Sequence, residues 1–237
     1  MALPIASTPT YDLVIPSTEK KVKFRPFLVK EEKALLIAQQ SENLTVMIDT
    51  LKSVIASCVQ GEVNVDSLAI FDLEYMFTQI RAKSVGEIVE LIFSCQQCKD
   101  PKAKTQVNID ISKIQVKKDP EHSKKISLYG DVGVIMKYPP LDIVNVFNDT
   151  TLNDVDQVFK IICSSIDMIY SGEDVFYAKE HSEEELEDFV NNLTQEQFEK
   201  IKKFFETMPK LETIVEYTCP VCAAHNSTAL EGIQNFF

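Results

Sequence analysis

The sequence predicts an α+β protein. In it a β-hairpin leads into a helical N-terminal region, a mixed β middle carries a split, four-cysteine, zinc-ribbon-like site, and a helical insertion separates the halves of that site. Three observations predict this. Tyr11-Asp12-Leu13-Val14-Ile15 and Lys21-Val22-Lys23-Phe24-Arg25 are strand-like runs joined by the turn-forming cluster Pro16 to Lys20. Phe93-Ser94-Cys95-Gln96-Gln97-Cys98 and Tyr217-Thr218-Cys219-Pro220-Val221-Cys222 share the form aromatic, hydroxyl, Cys, x, x, Cys, and each follows a β-type run. Between them the apolar spacing changes to three and four, and two capping boxes appear. The regions so defined are 1–86, 87–140 with 210–237, and 141–209.

With 237 residues, 45% of them hydrophobic, the chain can bury a substantial core in one or two domains. Its net charge of −12 argues against nucleic acid or an anionic membrane as the main partner, because both need a basic footprint. No run approaches the ~18 apolar residues of a membrane helix, and residues 1–10 lack the pattern of a signal peptide. A cytoplasmic location is therefore expected. Thiols stay reduced there, so the six cysteines point to metal binding or burial rather than disulfides.

In chain order, the early acids Glu31 and Glu32 favour a helix from Pro26 onward, continued by Leu35, Leu36 and Ala38. A second helix follows Ser41, with Leu44, Met47, Ile48, Leu51, Val54 and Ile55 in helical spacing; Cys58 joins its core. A third fits residues 67–82, capped by Asp66. Ile88, Val89, Leu91 and Ile92 lead into the first cysteine pair, and residues 99–104 form the hairpin tip beyond it. Val107, Ile109 and Ile111, then Val132, Val134 and Met136, alternate as strands do, with a charged loop from Gln115 to Lys125 between them. Val155, Val158, Ile162, Ile166 and Ile169 predict one helix from about Asn153, with Cys163 in its core. Ser182 with Glu185, and Thr194 with Gln197, each satisfy free backbone donors reciprocally and open two further helices. Pro209 ends the last of these, and residues 211–218 form the strand to the second pair.

Cys95, Cys98, Cys219 and Cys222 are the candidate metal ligands. Two strand-end turns facing each other offer four thiolates, the tetrahedral set of one structural Zn2+ at Zn–S distances of about 2.3 Å. The 120 residues between the pairs far exceed the ~15–20 of compact zinc modules. Two alternatives stay open: a dithiol oxidoreductase using one CxxC pair, for which Cys219-Pro220-Val221-Cys222 has a suitable form, and unligated thiols. A redox pair should open a helix, and neither pair is followed by a clear amphipathic one. Zinc knuckles often place Gly after the second cysteine; Lys99 and Ala223 stand there instead.

The chain also resembles a known family. Tyr11-Asp12-Leu13, Pro16-Ser17-Thr18, Phe24 through Lys33, Phe71-Asp72-Leu73-Glu74-Tyr75, Lys83-Ser84-Val85-Gly86, both cysteine pairs, Asp131 through Pro139 and Lys202-Lys203-Phe204-Phe205 look like the baseplate hub assembly proteins of T-even-type contractile-tailed bacteriophages. That resemblance covers most of the chain. It implies a late protein with a role in building the central hub of the baseplate in the host cytoplasm, as a chaperone or as a hub component of the virion baseplate, with other hub proteins as partners. It supplies no catalytic residues.

Catalytic patterns are absent. There is no P-loop, dinucleotide fingerprint, GxSxG elbow or HExxH, and Gly130 with Gly133 are wrongly spaced to cradle phosphate. His122, His181 and His225 read as surface residues, with His225 a remote substitute ligand; Glu183 to Glu187 read as a capped, solvated helix start. Two segments have apolar groups suited either to partners or to the protein's own core. One is Phe24-Arg25-Pro26-Phe27. The other is the C-terminus, where Leu230, Ile233, Phe236 and Phe237 have helical spacing after Thr228.

Overall fold

The structure, a computed structural model, describes residues 7–41, 43–98, 100–139, 141–143, 146 and 152–232. It is mixed α+β, and its residues group into two compact units. One comprises Met1–Val65, Phe71–Lys117 and Lys210–Phe237, the other Asp66–Ile70 and Lys118–Pro209.

The first unit opens with β1 (Tyr11–Val14) and β2 (Lys21–Phe24), an antiparallel hairpin. A short β3 (Val59–Gln60) pairs with β2 to complete a sheet of order β1-β2-β3. Helices α1 (Val29–Gln40), α2 (Leu44–Cys58) and α3 (Ile70–Ser84) supply most of the core here. Ile15, Leu51, Ile55, Cys58, Phe71, Met76, Phe77 and Ile80 are almost fully buried. Asn43 caps α2 by accepting from the Val46 N–H. Helix α3 starts later than the Asp66 cap predicts, because Val65–Ser67 form a 3-10 turn of their own.

Arg25 does not stand free for a partner. Its Nη2 lies 2.9 Å from Glu31 Oε1, and its Nη1 donates to the Pro26 carbonyl. Glu31 is only 4% exposed, and its second oxygen accepts the Leu28 N–H at the start of α1. Burial alone would raise the Glu31 pKa. The hydrogen bonds from Arg25 and Leu28, with the charges of Arg25 and Lys30, nonetheless hold its carboxyl below the ordinary value. Phe24 is core, at 3% exposure.

Two further hairpins complete this unit. β4 (Ile88–Ser94) pairs with β5 (Lys104–Asp110) over seven residues each. β6 (Val116–Lys117) lies in the stretch expected to be a loop and pairs with β11 (Lys210–Thr218), which also pairs with β12 (His225–Glu231). The last strand corrects an expectation. Thr228 and Leu230 alternate along β12 against Val215 and Thr213, so they belong to a strand rather than to a capped helix. Ile233, Phe236 and Phe237 lie outside the described residues.

The second unit is an antiparallel sheet of order β10-β9-β8-β7, built from β7 (Lys125–Tyr129), β8 (Val132–Met136), β9 (Ile166–Ser171) and β10 (Asp174–Tyr177). Helices α4 (Asp154–Ser164), α5 (Glu183–Asn191) and α6 (Gln195–Glu206) share one core with it, joining Val134, Met136, Ile162, Ile166, Leu186, Ile201 and Phe204. Both capping boxes form, with Ser182 accepting from the Glu185 N–H and Thr194 from the Gln197 N–H. The helix expected to run from about Asn153 to Ile169 ends at Ser164. The Ser164 and Ser165 hydroxyls donate back to the Ile161 carbonyl there, and Ile166 opens β9.

His122 is half-buried rather than simply solvated. Its Nδ1 is 3.0 Å from Thr207 Oγ1 and its Nε2 is 3.2 Å from the Tyr138 hydroxyl. The Thr207 hydroxyl donates to the Lys203 carbonyl, so it accepts from Nδ1–H, which leaves Nε2 to accept from Tyr138. Among the described residues no helix is long and apolar enough to cross a membrane.

Candidate metal centre

The first unit places the two cysteine turns against each other. β4 and β5 carry Cys95 and Cys98 in their connecting turn, and β11 and β12 carry Cys219 and Cys222 in theirs. The turns close alike. Cys95 N–H donates to the Ala103 carbonyl and Cys219 N–H to the Ala224 carbonyl, both at 2.9 Å. In each, the first sulfur accepts a backbone N–H two residues on, from Gln97 and from Val221, both at 3.4 Å. Ala223 takes φ 56°, the left-handed conformation that glycine commonly supplies after the second cysteine. Lys99, its counterpart, lies outside the described residues.

The residues preceding the cysteines explain why the turns meet. Phe93 and Tyr217 stack with ring centroids 5.1 Å apart, and the Tyr217 hydroxyl donates to the Ser94 carbonyl at 2.9 Å. The Thr105 hydroxyl donates to the Thr218 carbonyl. Beneath them Val89, Leu91 and Val107 pack against a core of Ile109, Leu211, Val215, Tyr217 and Leu230. The aromatic pair Phe93 and Tyr217, with the carbonyls of the exposed Ser94 and Thr218 as acceptors, thus joins the two strand ends beneath the turns.

All four sulfurs lie within 4.8 Å of one another. Cys95 Sγ is 3.8 Å from Cys222 Sγ, and Cys98 Sγ is 3.8 Å from Cys219 Sγ. No pair among them is a disulfide. Four sulfurs each about 2.3 Å from a central ion would stand about 3.8 Å apart along the edges of a tetrahedron. These two contacts match that edge. Cys95 and Cys219 are buried, whereas Cys98 and Cys222 are exposed. The backbone N–H groups of Cys98 and Gln97 bring the Cys95 thiol down to about 6. Cys98 responds oppositely. Although the Asp100 N–H favours its thiolate, desolvation and the sulfurs of Cys222, Cys95 and Cys219 push it up to about 12. Four sulfurs this close cannot all ionise without a cation among them.

Sequence reasoning missed Asn226 and Gln96. Asn226 is 6% exposed; its Oδ1 accepts the Gln96 N–H at 3.2 Å and lies 3.7 Å from Cys95 Sγ, while its Nδ2 donates to the Ala224 carbonyl. One amide therefore ties both turns together. Gln96 Nε2 reaches Thr228 Oγ1 across the same gap. Both link residues about 130 positions apart, so no local pattern could have shown them. His225 stays out of the cluster: its Nδ1 bonds to the Thr218 hydroxyl. Cys58 and Cys163 are buried elsewhere, and burial pushes both thiols up to about 11. Neither CxxC opens a helix; each returns directly into a strand, β5 or β12.

Fold and site together define an α+β protein in which two hairpin turns present one compact set of four thiols. A family model described as T4 bacteriophage base plate protein matches residues 8–237, and the chain belongs to that family. Over 219 residues it is 23% identical to the baseplate hub assembly protein gp26 of Enterobacteria phage T4, an alignment covering 92% of this chain and 93% of that protein. No solved structure matches the chain.

Proposed function

We propose that this chain works by protein–protein contact in building a phage tail baseplate hub, as an assembly factor or a hub component, and that one structural Zn2+ on Cys95, Cys98, Cys219 and Cys222 staples its first unit. The family match over residues 8–237 carries the assembly role. For the metal, the support is the pair of 3.8 Å sulfur contacts at the tetrahedral edge length. Zinc has no redox chemistry of its own, and a full set of four protein thiolates leaves it no open position. Its role is to cross-link two hairpins. The dithiol oxidoreductase alternative loses ground, because a redox pair works from a helix start and both pairs here sit in hairpin turns.

Elemental analysis of the purified chain, with co-purification against the phage's hub subunits, tests both parts. One zinc per chain is expected, together with its loss in Cys98→Ser and retained binding of at least one hub subunit by the parent. Full metal content in Cys98→Ser would refute the ligand set. Failure of every hub subunit to bind the zinc-loaded parent would refute the assembly role.

A further inference from the structure

The free edge of the second unit's sheet combines two features that do not usually occur together. β10 is the terminal strand of the order β10-β9-β8-β7, and among the described residues no strand lies beyond it. Every residue of β10 is exposed, yet three of its four are apolar or aromatic: Val175 at 47%, Phe176 at 43% and Tyr177 at 43%. Sheet edges left in solvent are normally blunted by lysine, proline or a bulge, because unpaired N–H and C=O groups invite another strand. β10 has none of these along its length.

The register shows which groups point outward. A two-residue turn, Gly172-Glu173 with Gly172 at φ 61°, joins Ser171 to Asp174. Its closing pair exchanges backbone hydrogen bonds, and alternation makes Phe176 with Ile169 the next hydrogen-bonded pair. The N–H and C=O of Val175 and the N–H of Tyr177 therefore face away from the sheet, whereas the Tyr177 carbonyl caps the 3-10 turn Ala178–Glu180 that follows.

Beside this edge lies a cavity of about 300 Å3. Tyr129, Val132, Ile169, Phe176, Leu186 and Phe189 give it an apolar lining from the sheet and α5. Phe176 is common to edge and cavity, with its ring centroid 6.2 Å from that of His181. The charged wall is a carboxylate: Glu185 lines the cavity, with His181 Nδ1 3.4 Å away, and among the described residues no lysine or arginine lines it. By strand alternation Asp174 shares the face of Phe176, which adds a second carboxylate at the rim.

We propose that β10 and this cavity form a docking site for an extended segment of a partner protein, which adds as a fifth strand, places an apolar or aromatic side chain in the cavity and sets lysine or arginine against Asp174 and Glu185. Edge hydrogen bonds supply the strand requirement, the cavity selects the anchor, and the carboxylates select its flanks. Only the expectation that hub proteins carry such a segment rests on the assembly role proposed above.

The probe is a synthetic peptide, capped at both ends, with a central Phe between threonines and a lysine at each end; its binding to the whole protein is read by fluorescence polarisation. Proline is tolerated at an edge position whose N–H points to solvent, so Val175→Pro should fold normally while lacking one outward donor. Val175→Pro and Phe176→Ala should each weaken binding roughly tenfold, and so should exchanging the peptide's lysines for glutamates. The Tyr177 amide should exchange more slowly with peptide bound. If Val175→Pro lowers the melting temperature, Phe176→Ala and the charge exchange decide. Absence of binding, or binding indifferent to these changes, overturns the proposal. So does a dimer in sedimentation that Val175→Pro dissolves, since the occupant would then be a second copy. Hub subunits that bind Val175→Pro and Phe176→Ala as well as the parent would overturn this site and leave the assembly role standing. A peptide that binds as predicted, with no hub subunit binding, would support the site and refute the assembly role.

Discussion

Replacing Arg25 by alanine should destabilise the first unit by much more than a surface substitution does. Arg25 is 17% exposed and its partner Glu31 only 4%, so the change strands a nearly buried carboxylate. Breaking a buried pair from one side costs about 3–5 kcal/mol. Lys30 Nζ, 3.5 Å from Glu31 Oε1 and itself 73% exposed, retains part of the compensation. A loss of about 2–3 kcal/mol is therefore expected at neutral pH. Glu31→Gln still offers an oxygen to the Leu28 N–H and should cost only about 1–2 kcal/mol. The double variant should cost less than the sum by at least about 1 kcal/mol, because the two residues share one interaction. Glu31 has a carboxyl pKa below its ordinary value in the fold. Its contribution is thus complete above the unfolded carboxyl range and is lost as pH falls through the lower folded value. The gap between parent and Arg25→Ala should shrink in that window, below about pH 4. Urea unfolding followed by far-UV circular dichroism, with amide exchange at β2 and α1 to localise the effect, measures each quantity. An Arg25→Ala variant within about 0.5 kcal/mol of the parent, or additive single changes, would refute the reasoning.

Ala223→Gly should stabilise the second cysteine turn, because a left-handed alanine costs about 1–2 kcal/mol and glycine returns part of that as chain entropy; Ala223→Val should destabilise it, and thermal melts of the metal-loaded chain distinguish the two. Gly133→Ala should destabilise the second unit by at least about 2 kcal/mol, since the added carbon would collide with the Tyr170 hydroxyl and the Ile126 carbonyl oxygen; Tyr170→Ala should not rescue it, because the backbone oxygen remains, and urea unfolding of single and double variants tests this. Burial, then the charge of Lys124, lowers the His122 pKa against the opposing pull of Asp119. A histidine harder to protonate in the fold lowers stability as pH drops below its unfolded pKa of about 6.5, so the second unit should weaken between there and the lower folded value, and His122→Phe should flatten that slope.

The sequence showed the cysteine strands clearly because two signals coincided there: β-type alternation up to Phe93 and Tyr217, and thiols at the strand ends. It also placed the Ser182 and Thr194 caps correctly, since a capping box is a contact among near neighbours. The misreadings arose where one spacing served two structures. Val155, Val158, Ile162, Ile166 and Ile169 keep three- and four-residue intervals across the helix end, and only the Ser164 and Ser165 hydroxyls break the run. Leu230 appeared helical beside Ile233, yet it alternates with Thr228 against β11. His122 looked solvated because its partners Tyr138 and Thr207 are 16 and 85 positions away. Asn226 was invisible for the same reason, since its partner Gln96 is 130 positions away, and the bare edge at β10 is set by the strand order of the whole sheet.

The position of the cysteine pairs also sets the order in which the molecule can be finished. Since 120 residues separate Cys98 from Cys219, the ribosome makes nearly all of the second unit before the second pair exists. At bacterial and phage synthesis rates that interval is roughly 6–24 s. During it the β4–β5 hairpin has two of the four thiols and lacks β11, on which its inner face packs. Oxidants and metal ions have their best access to Cys95 and Cys98 in that window. Once β12 pairs with β11, four sulfurs converge and the opportunity closes. The cluster thus records synthesis past Cys222: a product truncated before Cys219 would keep an exposed pair and a bare hairpin face, and cellular proteases would have grounds to remove it.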